Sequence, residues 1–287
     1  MRNMNEQNLT EAVIARYASC KDERFKQIMA SLVRHVHDFV REVELTEAEW
    51  FEGIQFLTAT GKKCDEKRQE FILLSDTLGV SMLVDAINHR MPGGATESTV
   101  FGPFYVHGAP ELPLGANIAG NAPGDATFVS GRVLDTDGRP IANALLDVWQ
   151  TDSEGFYDVQ RPDHSELNLR GKFRTDSQGR YHFRTVRPVS YPVPTDGPVG
   201  KMLLKAGRHP YRPAHIHFIV SAPGFEPVTT HVFADGDPYL DSDVVFGVKN
   251  SLVVEFKRHD SAAEAQSRGL PAPFYTADYE FGLKRAA

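Results

Sequence analysis

Two histidines separated by one residue are the first feature of this sequence that could do chemistry. His215 and His217 lie in the run Arg212-Pro-Ala-His-Ile-His-Phe-Ile-Val. On a strand, residues two apart point to the same face, so the two imidazoles would project together while Ile216 and Phe218 would face a core. Two neutral imidazoles on one face form half of a metal site, although ordinary strand histidines give the same pattern. The pair alone does not identify a metal.

Two tyrosines in turn-rich segments are the second feature. Tyr157 ends the run Thr151-Asp-Ser-Glu-Gly-Phe-Tyr, directly after a glycine turn. Tyr191 lies in the proline-rich run Ser190-Tyr-Pro-Val-Pro, which cannot be a central strand. Each tyrosine is also typical of a packing residue with a hydrogen-bonded hydroxyl. Taken one by one, therefore, neither tyrosine indicates chemistry.

The elements that would position these residues fall into two regions, and the first has the period of amphipathic helices. From residue 8 to about residue 90, apolar side chains recur at spacings of three and four. Thr46 and Glu49 form a capping-box pattern that predicts the start of one helix. A third long helical segment is predicted from about Asp65 to Asn88. The run Met91-Pro-Gly-Gly-Ala then ends helix formation.

After Val100 the pattern changes to short strand-like runs separated by turns rich in Gly, Asp and Pro. Many short strands with such turns predict a mostly antiparallel β-sandwich. The predicted fold class is therefore α+β, with a helical domain at residues 1–100 followed by a sandwich domain at residues 101–287. Strands are predicted at Thr127–Leu134, Ala144–Trp149, Tyr181–Val186, His215–Val220, Val228–Phe233 and Leu252–Phe256.

Bulk composition argues against several classes of protein. The 287 residues are 41% hydrophobic and 24% charged, with a formal net charge of −7. This charge argues against nucleic acid, because phosphate binding depends on an excess of Lys and Arg. No apolar run approaches the roughly 20 residues needed to cross a bilayer, and no secretory signal is visible. Cys20 and Cys64 are too few for a disulfide framework, so we expect a cytoplasmic location.

In combination, the histidine and tyrosine motifs resemble those of the intradiol ring-cleaving dioxygenases. The resemblance is carried by their order: Trp149 and Gly-Phe-Tyr157, then Tyr191-Pro, then the run from Arg212. It implies a sandwich domain that is catalytic, with Fe(III) as its cofactor and O₂ as a substrate. Two tyrosinates and two histidines would hold the ion, namely Tyr157, Tyr191, His215 and His217. Anionic phenolates suit a trivalent ion, because they offset its charge while the imidazoles stay neutral.

The resemblance also implies roles in catalysis. Tyr191 would leave the metal as the diol binds, and Arg212 would stabilise negative charge that develops on the substrate during attack by O₂. Arg212 could instead form a surface salt bridge, which the sequence alone does not exclude.

Further runs that begin at Leu73, Met91 and Thr229 extend the resemblance over most of the chain, toward the branch that cleaves hydroxyquinol (benzene-1,2,4-triol). Cleavage between the adjacent hydroxylated carbons would give 3-hydroxy-cis,cis-muconate or maleylacetate. Asp76 is the candidate partner of the third hydroxyl, because a buried hydroxyl needs a hydrogen-bond partner. Substrate contacts are expected from Leu73, Asp76, Val100, Phe101, Gly102, Pro103, Phe104, Val193, Pro194, Arg212 and Val245.

A homodimer joined through the helical domain is a further implication of the resemblance, with a phospholipid at the dimer interface. The apolar side chains of Leu32, Val36 and Phe39 permit this arrangement, since two-fold homodimers are the commonest assembly. The same side chains could instead pack on the sandwich.

Alternatives stay open at this point. The same chemistry could act on catechol or a chlorocatechol, and a zinc hydrolase could add Glu154 or Asp158 to the histidine pair. A non-catalytic binding sandwich would leave the tyrosines and histidines unexplained. His231 stands where the catechol-cleaving pattern has a glutamine, and it would either hydrogen-bond near the metal or simply pack. The other histidines are predicted to have no part in the site: His35, His37, His89, His107, His164, His182, His209 and His259.

Overall fold

The helices predicted for the first part of the chain are present in the structure, a computed structural model that describes residues 2–66, 68–161 and 167–286. Within these ranges none of the helices is both long and apolar enough to cross a membrane. The chain divides into two compact units, Met1–Ala59 and Thr60–Ala287. The α-helices are α1 Leu9–Ile14, α2 Glu23–Glu42, α3 Glu47–Lys62, α4 Glu70–Thr77, α5 Val80–Asn88, α6 Pro198–Lys205 and α7 Ala262–Ser267.

The first unit is built on α1, α2 and most of α3. Thr10 on α1 contacts His37 on α2, with 3.0 Å between Thr10 Oγ1 and His37 Nδ1. The predicted capping box begins α3, because Thr46 N donates to Glu49 Oε2 (2.9 Å) and Glu49 N donates to Thr46 Oγ1 (3.3 Å). The apolar stripe of α2 stays largely exposed, and Leu32 keeps 51% of its surface accessible.

The long helix predicted from Asp65 to Asn88 is wrong, because two shorter helices occupy this segment. α4 ends at Thr77 and α5 begins at Val80. Gly79, which caps α5, has φ +75°, a left-handed conformation that a side chain makes unfavourable and that ends an α-helix. Both helices belong to the second unit, together with the sheets. The domain division at residue 100 stays a prediction.

The second unit is a sandwich of one four-stranded and one five-stranded sheet, with a short two-stranded ribbon beside them. The four-stranded sheet has the order β10-β11-β1-β4, the five-stranded sheet β3-β2-β7-β8-β9, and the ribbon pairs β5 with β6. The strands are β1 Ala126–Asp135, β2 Leu145–Trp149, β3 Arg170–Arg174, β4 Arg180–Val186, β5 Tyr191–Pro192, β6 Tyr211–Arg212, β7 His215–Ser221, β8 Val228–Ala234, β9 Val253–Val254, β10 Lys257–His259 and β11 Phe274–Leu283.

The predicted α+β fold with a mostly antiparallel sandwich is confirmed. Among the pairings between the named strands, only β1 with β11 and β8 with β9 are parallel. The inner faces of the two sheets share one apolar core, in which Phe183 of β4 and Phe218 of β7 have ring centroids 6.3 Å apart. The opposite face of the five-stranded sheet, which does not contribute to this core, carries the side chains of His215 and His217.

Candidate metal centre

Strand register brings three aromatic side chains together on the outer face of the five-stranded sheet. His217 of β7 pairs with Trp149 of β2 on one side and with His231 of β8 on the other. The Trp149 and His217 rings stack with centroids 4.6 Å apart and planes 15° apart. Ile216 and Phe218 point into the core, as the two-residue period of a strand predicts.

Tyr157 reaches the histidines from the loop that follows β2. It precedes a short 3-10 helix, Asp158–Gln160, and its backbone N–H donates to Gln160 Oε1 at 2.9 Å. The next residue, Asp158, forms a buried ion pair with Arg170 of β3, with 2.8 Å between Arg170 Nε and Asp158 Oδ1. This ion pair anchors the loop to the sheet, directly beside the tyrosine.

Tyr191 is placed by the two-stranded ribbon, where it is the register partner of Arg212. Both side chains are buried; burial raises the pKa of Tyr191, and the positive charge of Arg212 acts in the opposite direction. The backbone of Gly155 packs directly on Tyr191, since a methyl group at residue 155 would lie 2.8 Å from Tyr191 Cβ. Gly155 also has φ +84°, so both its conformation and its close approach to Tyr191 favour glycine.

The four predicted ligand atoms converge at one point. Tyr157 Oη lies 3.0 Å from Tyr191 Oη, 2.8 Å from His217 Nε2 and 3.5 Å from His215 Nε2. The two Nε2 atoms are 3.1 Å apart. All four side chains are buried.

The protonation states of these groups follow from burial and hydrogen bonding. His215 Nδ1 lies 2.7 Å from the carbonyl of Pro213, which can only accept, so Nδ1 carries the proton and Nε2 offers a lone pair. Burial, together with neighbouring positive charge, holds the pKa of His215 and of His217 well below the ordinary range. Burial raises the pKa of both Tyr157 and Tyr191.

This donor set fits a metal cation. Donors held about 2.1 Å from one ion at angles of roughly 90–110° lie about 3.0–3.4 Å from each other, a spacing close to the one seen here. His215 Nε2 carries a lone pair and no proton, and both phenol oxygens carry lone pairs, so acceptor atoms crowd around one point. A bound cation would remove this crowding and favour the phenolate form of each tyrosine.

His231 lies beside this donor set and is engaged elsewhere. Its Nε2 is 3.4 Å from Arg212 Nη1, which can only donate, and its Nδ1 faces Thr99 Oγ1. The three imidazoles of His215, His217 and His231 lie close enough to form a metal-binding cluster by themselves. His215 Nε2 and His217 Nε2 both face Tyr157 Oη, whereas the two ring nitrogens of His231 face Arg212 and Thr99.

Arg212 is held by a buried carboxylate. Its Nε lies 3.2 Å from Asp243 Oδ1, and Asp243 Oδ2 also accepts from the backbone N–H of Gly247 at 2.9 Å. Arg212 Nη1 is 3.3 Å from His215 Nε2. A charged guanidinium is therefore fixed next to the donor set, where it can stabilise an anion.

A small cavity of about 30 Å³ opens onto this centre. Of the predicted substrate contacts, only Phe101 does not line it. Phe101 is 46% exposed and packs on Tyr105, with ring centroids 4.9 Å apart. The predicted residues that line the cavity, together with Tyr191 and His217, are Leu73, Asp76, Val100, Gly102, Pro103, Phe104, Val193, Pro194, Arg212 and Val245.

Several contacts around the site were not predicted from the sequence. Phe104 was predicted as a substrate contact, but it also stacks on Tyr157, with centroids 4.5 Å apart. Trp149 covers His217, and Asp243 holds Arg212. The only signal for Asp243 was its place in a run that matched the family, because a pairing across thirty residues has no local pattern.

The carboxylates that a zinc site would need lie elsewhere. Glu154 forms an ion pair with Arg161, with 2.6 Å between Glu154 Oε2 and Arg161 Nη2. Asp158 is paired with Arg170. Neither carboxylate belongs to the metal-binding cluster found among the described residues. Of the histidines predicted to have no part in the site, His164 lies outside the described residues.

Two family models match the chain. The model described as Dioxygenase matches residues 100–284, and the model described as Catechol dioxygenase N terminus matches residues 22–96. Together they span both the helical part of the chain and the sandwich.

Individual relatives match over nearly the full length. The hydroxyquinol 1,2-dioxygenase of Rhizobium sp. (strain MTP-10005) is 55% identical over 282 residues, which cover 98% of this chain and 96% of the relative. The 6-chlorohydroxyquinol 1,2-dioxygenase of Cupriavidus pinatubonensis is 56% identical over 258 residues, 90% of this chain and 94% of the relative. A solved structure of hydroxyquinol 1,2-dioxygenase from Pseudomonas putida DLL-E4 has a TM-score of 0.92 and 54% identity, and covers 98% of this chain and 99% of that one.

Proposed function

The chain belongs to the intradiol dioxygenase family, and on that premise we propose that it cleaves the ring of hydroxyquinol with O₂ between the adjacent hydroxylated carbons. Both oxygen atoms of O₂ enter the product, 3-hydroxy-cis,cis-muconate or its tautomer maleylacetate. Fe(III) is the proposed cofactor, held by Tyr157, Tyr191, His215 and His217.

The observation that carries this proposal is the convergence of two phenol oxygens and two imidazole nitrogens. Tyr157 Oη lies 2.8–3.5 Å from Tyr191 Oη and from both histidine Nε2 atoms, which are themselves 3.1 Å apart. The zinc sites of hydrolases are built from His, Cys and carboxylate ligands. A pair of phenolates instead suits a hard, highly charged ion. When bound, Fe(III) supplies the electron acceptor that allows an aromatic diol, whose electrons are paired, to react with O₂.

Tyr191 and Arg212 are the residues that we assign to proton handling and charge stabilisation. Tyr191 Oη lies at the cavity wall, where it can accept a proton from a hydroxyl of the entering diol. The Arg212 guanidinium faces the same cavity and stays charged, because the buried Asp243 raises its pKa further despite burial. It can therefore stabilise the negative charge that the ring develops as oxygen attacks.

Asp76 is the residue that favours hydroxyquinol over catechol in this proposal. Its side chain is buried in the cavity wall, and burial raises the pKa of its carboxyl. A buried carboxyl that can accept or donate a hydrogen bond matches a third ring hydroxyl. The names of the relatives support the same substrate.

The assembly that we propose is a homodimer joined through the helical part of the chain. The exposed apolar stripe of α2 supports this, since water-exposed Leu32, Val36 and Phe39 would be covered by a second copy. The same apolar surface could also receive the acyl chains of a phospholipid. Mass spectrometry of an organic extract of the purified protein would detect such a lipid.

The proposed function is tested by the visible spectrum of the purified protein and by its turnover of hydroxyquinol. A phenolate-bound ferric protein is coloured by charge transfer, and we expect its absorption band to change when hydroxyquinol is added without O₂. With O₂ present, we expect a product that is heavier than hydroxyquinol by two oxygen atoms. Catechol, which lacks the third hydroxyl, should be turned over less efficiently.

Two results would contradict the proposal. A colourless, iron-free protein that still cleaves hydroxyquinol would overturn the metal assignment. Equal kcat/KM values for catechol and hydroxyquinol would overturn the choice of substrate while leaving the family chemistry intact.

A further inference from the structure

A buried carboxylate at the start of α4 lies next to the cavity without lining it. Glu70 is the first residue of this helix, and its side chain is 0% exposed. Leu73 lies one turn further on, and Asp76 lies one turn beyond Leu73. Both of these residues line the cavity. The position of Glu70 therefore determines where one wall of the cavity begins.

The same carboxylate caps another helix. Glu70 Oε1 accepts a hydrogen bond from the backbone N–H of Val199, in the first turn of α6, at 3.2 Å. N–H groups in a first turn have no partner within their helix, and negative charge is favourable there. Gly197, the residue directly before α6, has no side chain that could cap the helix. Glu70 thus provides from α4 the cap that α6 lacks.

An ion cluster holds Glu70 in this position. Glu70 Oε2 accepts from Arg68 Nε at 2.9 Å and from Arg68 Nη2 at 2.8 Å. Arg68 Nη1 also pairs with Asp196 at 2.7 Å, and Asp196 pairs with Lys63 at 2.8 Å. The attraction between Glu70 and Arg68 offsets the cost of removing the carboxylate from water, and loss of either charge would leave the other without that compensation.

The backbone of α6 approaches this pair too closely for any side chain at its start. A methyl group at Gly197 would overlap Glu70 Oε1 and would lie 2.7 Å from Arg68 Nη2. The contact between Glu70 and the start of α6 is therefore tight. A substitution at Gly197 would separate the two helices while Glu70 itself stays intact.

A second part of the cavity wall depends on α6. Val193 and Pro194, which line the cavity, lie a few residues before this helix. Leu203 of α6 is fully buried, in one apolar cluster with Val193 and Val245. Arg68 and Glu70 also line a second cavity. Leu73 and Pro194 line both this cavity and the one that opens onto the metal centre. The two walls are thus joined through Glu70.

We propose that Glu70 is a positioning residue that fixes the width of the substrate cavity and so determines which ring substituents it accepts. This inference rests on the proposed function. The carboxylate holds the wall of Leu73 and Asp76 at a set distance from the wall of Val193 and Pro194. A ring hydroxyl facing Asp76 then finds its partner at hydrogen-bond distance, whereas a methyl group in the same place makes no hydrogen bond with the carboxyl.

The test uses Glu70→Gln in the full-length, iron-loaded protein. Two quantities are measured: KM for hydroxyquinol, and Ki of 4-methylcatechol as a competitive inhibitor. Glutamine loses the charge that pairs with Arg68, so the walls can separate. A misplacement of about 1 Å can cost a hundredfold, and we expect the ratio of Ki to KM to fall at least tenfold. The change in kcat should be smaller than the change in KM.

Two further variants make the test specific. Gly197→Ala pushes the carboxylate away from α6 without altering Glu70, and it should lower the same ratio. Asp196→Asn removes the outer member of the ion cluster, which is 61% exposed, and exposed pairs contribute little. It should leave the ratio unchanged. The visible absorption band should be the same in all three variants, because the proposed ligands lie on other elements.

The inference is overturned if Glu70→Gln and Gly197→Ala lower the melting temperature but keep the ratio of Ki to KM, since Glu70 would then only stabilise the fold. If Glu70→Gln does not fold, the ratio of Ki to KM measured for Gly197→Ala decides whether the positioning role holds. A wild-type chain that does not cleave hydroxyquinol overturns the proposed function itself. An active wild type with an unchanged ratio in both variants overturns only the positioning role.

Discussion

The His217 imidazole is oriented by packing on several sides. Its Nδ1 atom has no hydrogen-bond partner among the described residues, so no hydrogen bond from that atom fixes the ring. Trp149 stacks on one face, and the His231 ring centroid lies 4.0 Å from that of His217. The backbone of Gly102 lies at the edge of the His217 ring. A methyl group added at Gly102 would lie 3.2 Å from His217 Cε1. Ligating histidines are usually oriented by a hydrogen bond at the second nitrogen. Here close packing takes over that task.

Gly102→Ala is therefore expected to weaken metal binding. The added methyl group would push His217 Cε1 away, and loss of such support typically costs 10–100-fold in metal affinity. Iron content after dialysis against a chelator measures the effect. Gly108→Ala is the matched control, since Gly108 has φ +92° but no atom within 4 Å of an added methyl group. Equal iron loss in both variants would show that backbone strain, and not the contact with His217, is responsible.

Arg212→Lys tests the charge-stabilising role at the same scale. Lysine keeps the positive charge beside Asp243, but it cannot present several fixed N–H groups at once. We expect kcat for hydroxyquinol to fall by about 10²–10³-fold, the loss typical of a removed oxyanion donor. Iron content and the absorption band should stay close to those of the wild type. A variant with full activity would contradict the role assigned to Arg212.

At the scale of elements, the loop that carries Tyr157 depends on one ion pair between that loop and β3. Asp158 and Arg170 are both buried, and they lie 12 residues apart in sequence. β3 was not predicted, because the run Arg-Gly-Lys-Phe-Arg has no apolar alternation that distinguishes it from a turn. Its place in the sheet comes from pairing with β2, which a sequence pattern does not show.

Arg170→Met is expected to destabilise the fold. It removes the guanidinium that pairs with the buried Asp158 carboxylate, and breaking a buried ion pair typically costs about 3–5 kcal/mol in the free energy of unfolding. Arg174→Met, on the same strand, breaks an exposed pair with Glu111 and should cost about 0–1 kcal/mol. Urea unfolding of the iron-free proteins measures both values. Similar losses in the free energy of unfolding would mean that the buried Asp158–Arg170 pair contributes no more to stability than the exposed pair does.

At the scale of the whole molecule, the exposed stripe of α2 predicts the assembly. Leu32→Glu places a charge in the middle of this stripe, and desolvating that charge in an apolar interface is costly. We therefore expect the proposed dimer to dissociate into monomers, as measured by sedimentation. Gln27→Glu, on the opposite face of α2, is the control and should leave the mass unchanged. A wild-type protein that sediments as a monomer would contradict the dimer.

The sequence predicted most of this fold where local patterns decide the structure. The period of two placed Ile216 in the core, and the capping box placed the start of α3. It failed where one residue overrides the pattern, as Gly79 does in the segment predicted as a single helix. It also failed where distant segments meet, as β1 and β11 do in parallel. For the site, the strand period predicted a shared face for the two histidines, whereas the place of the tyrosines came from family resemblance.

The proposed ligands come from three separate segments, and Tyr157 and His217 lie 60 residues apart in sequence. An unfolded chain cannot bring these donors together, so iron would bind only the native state. By mass action, such binding stabilises the fold by about 2.7 kcal/mol when free iron is at 100 times its Kd. Removal of iron by a chelator should therefore lower the melting temperature, and the thermal stability of the protein becomes a measure of how fully the site is loaded.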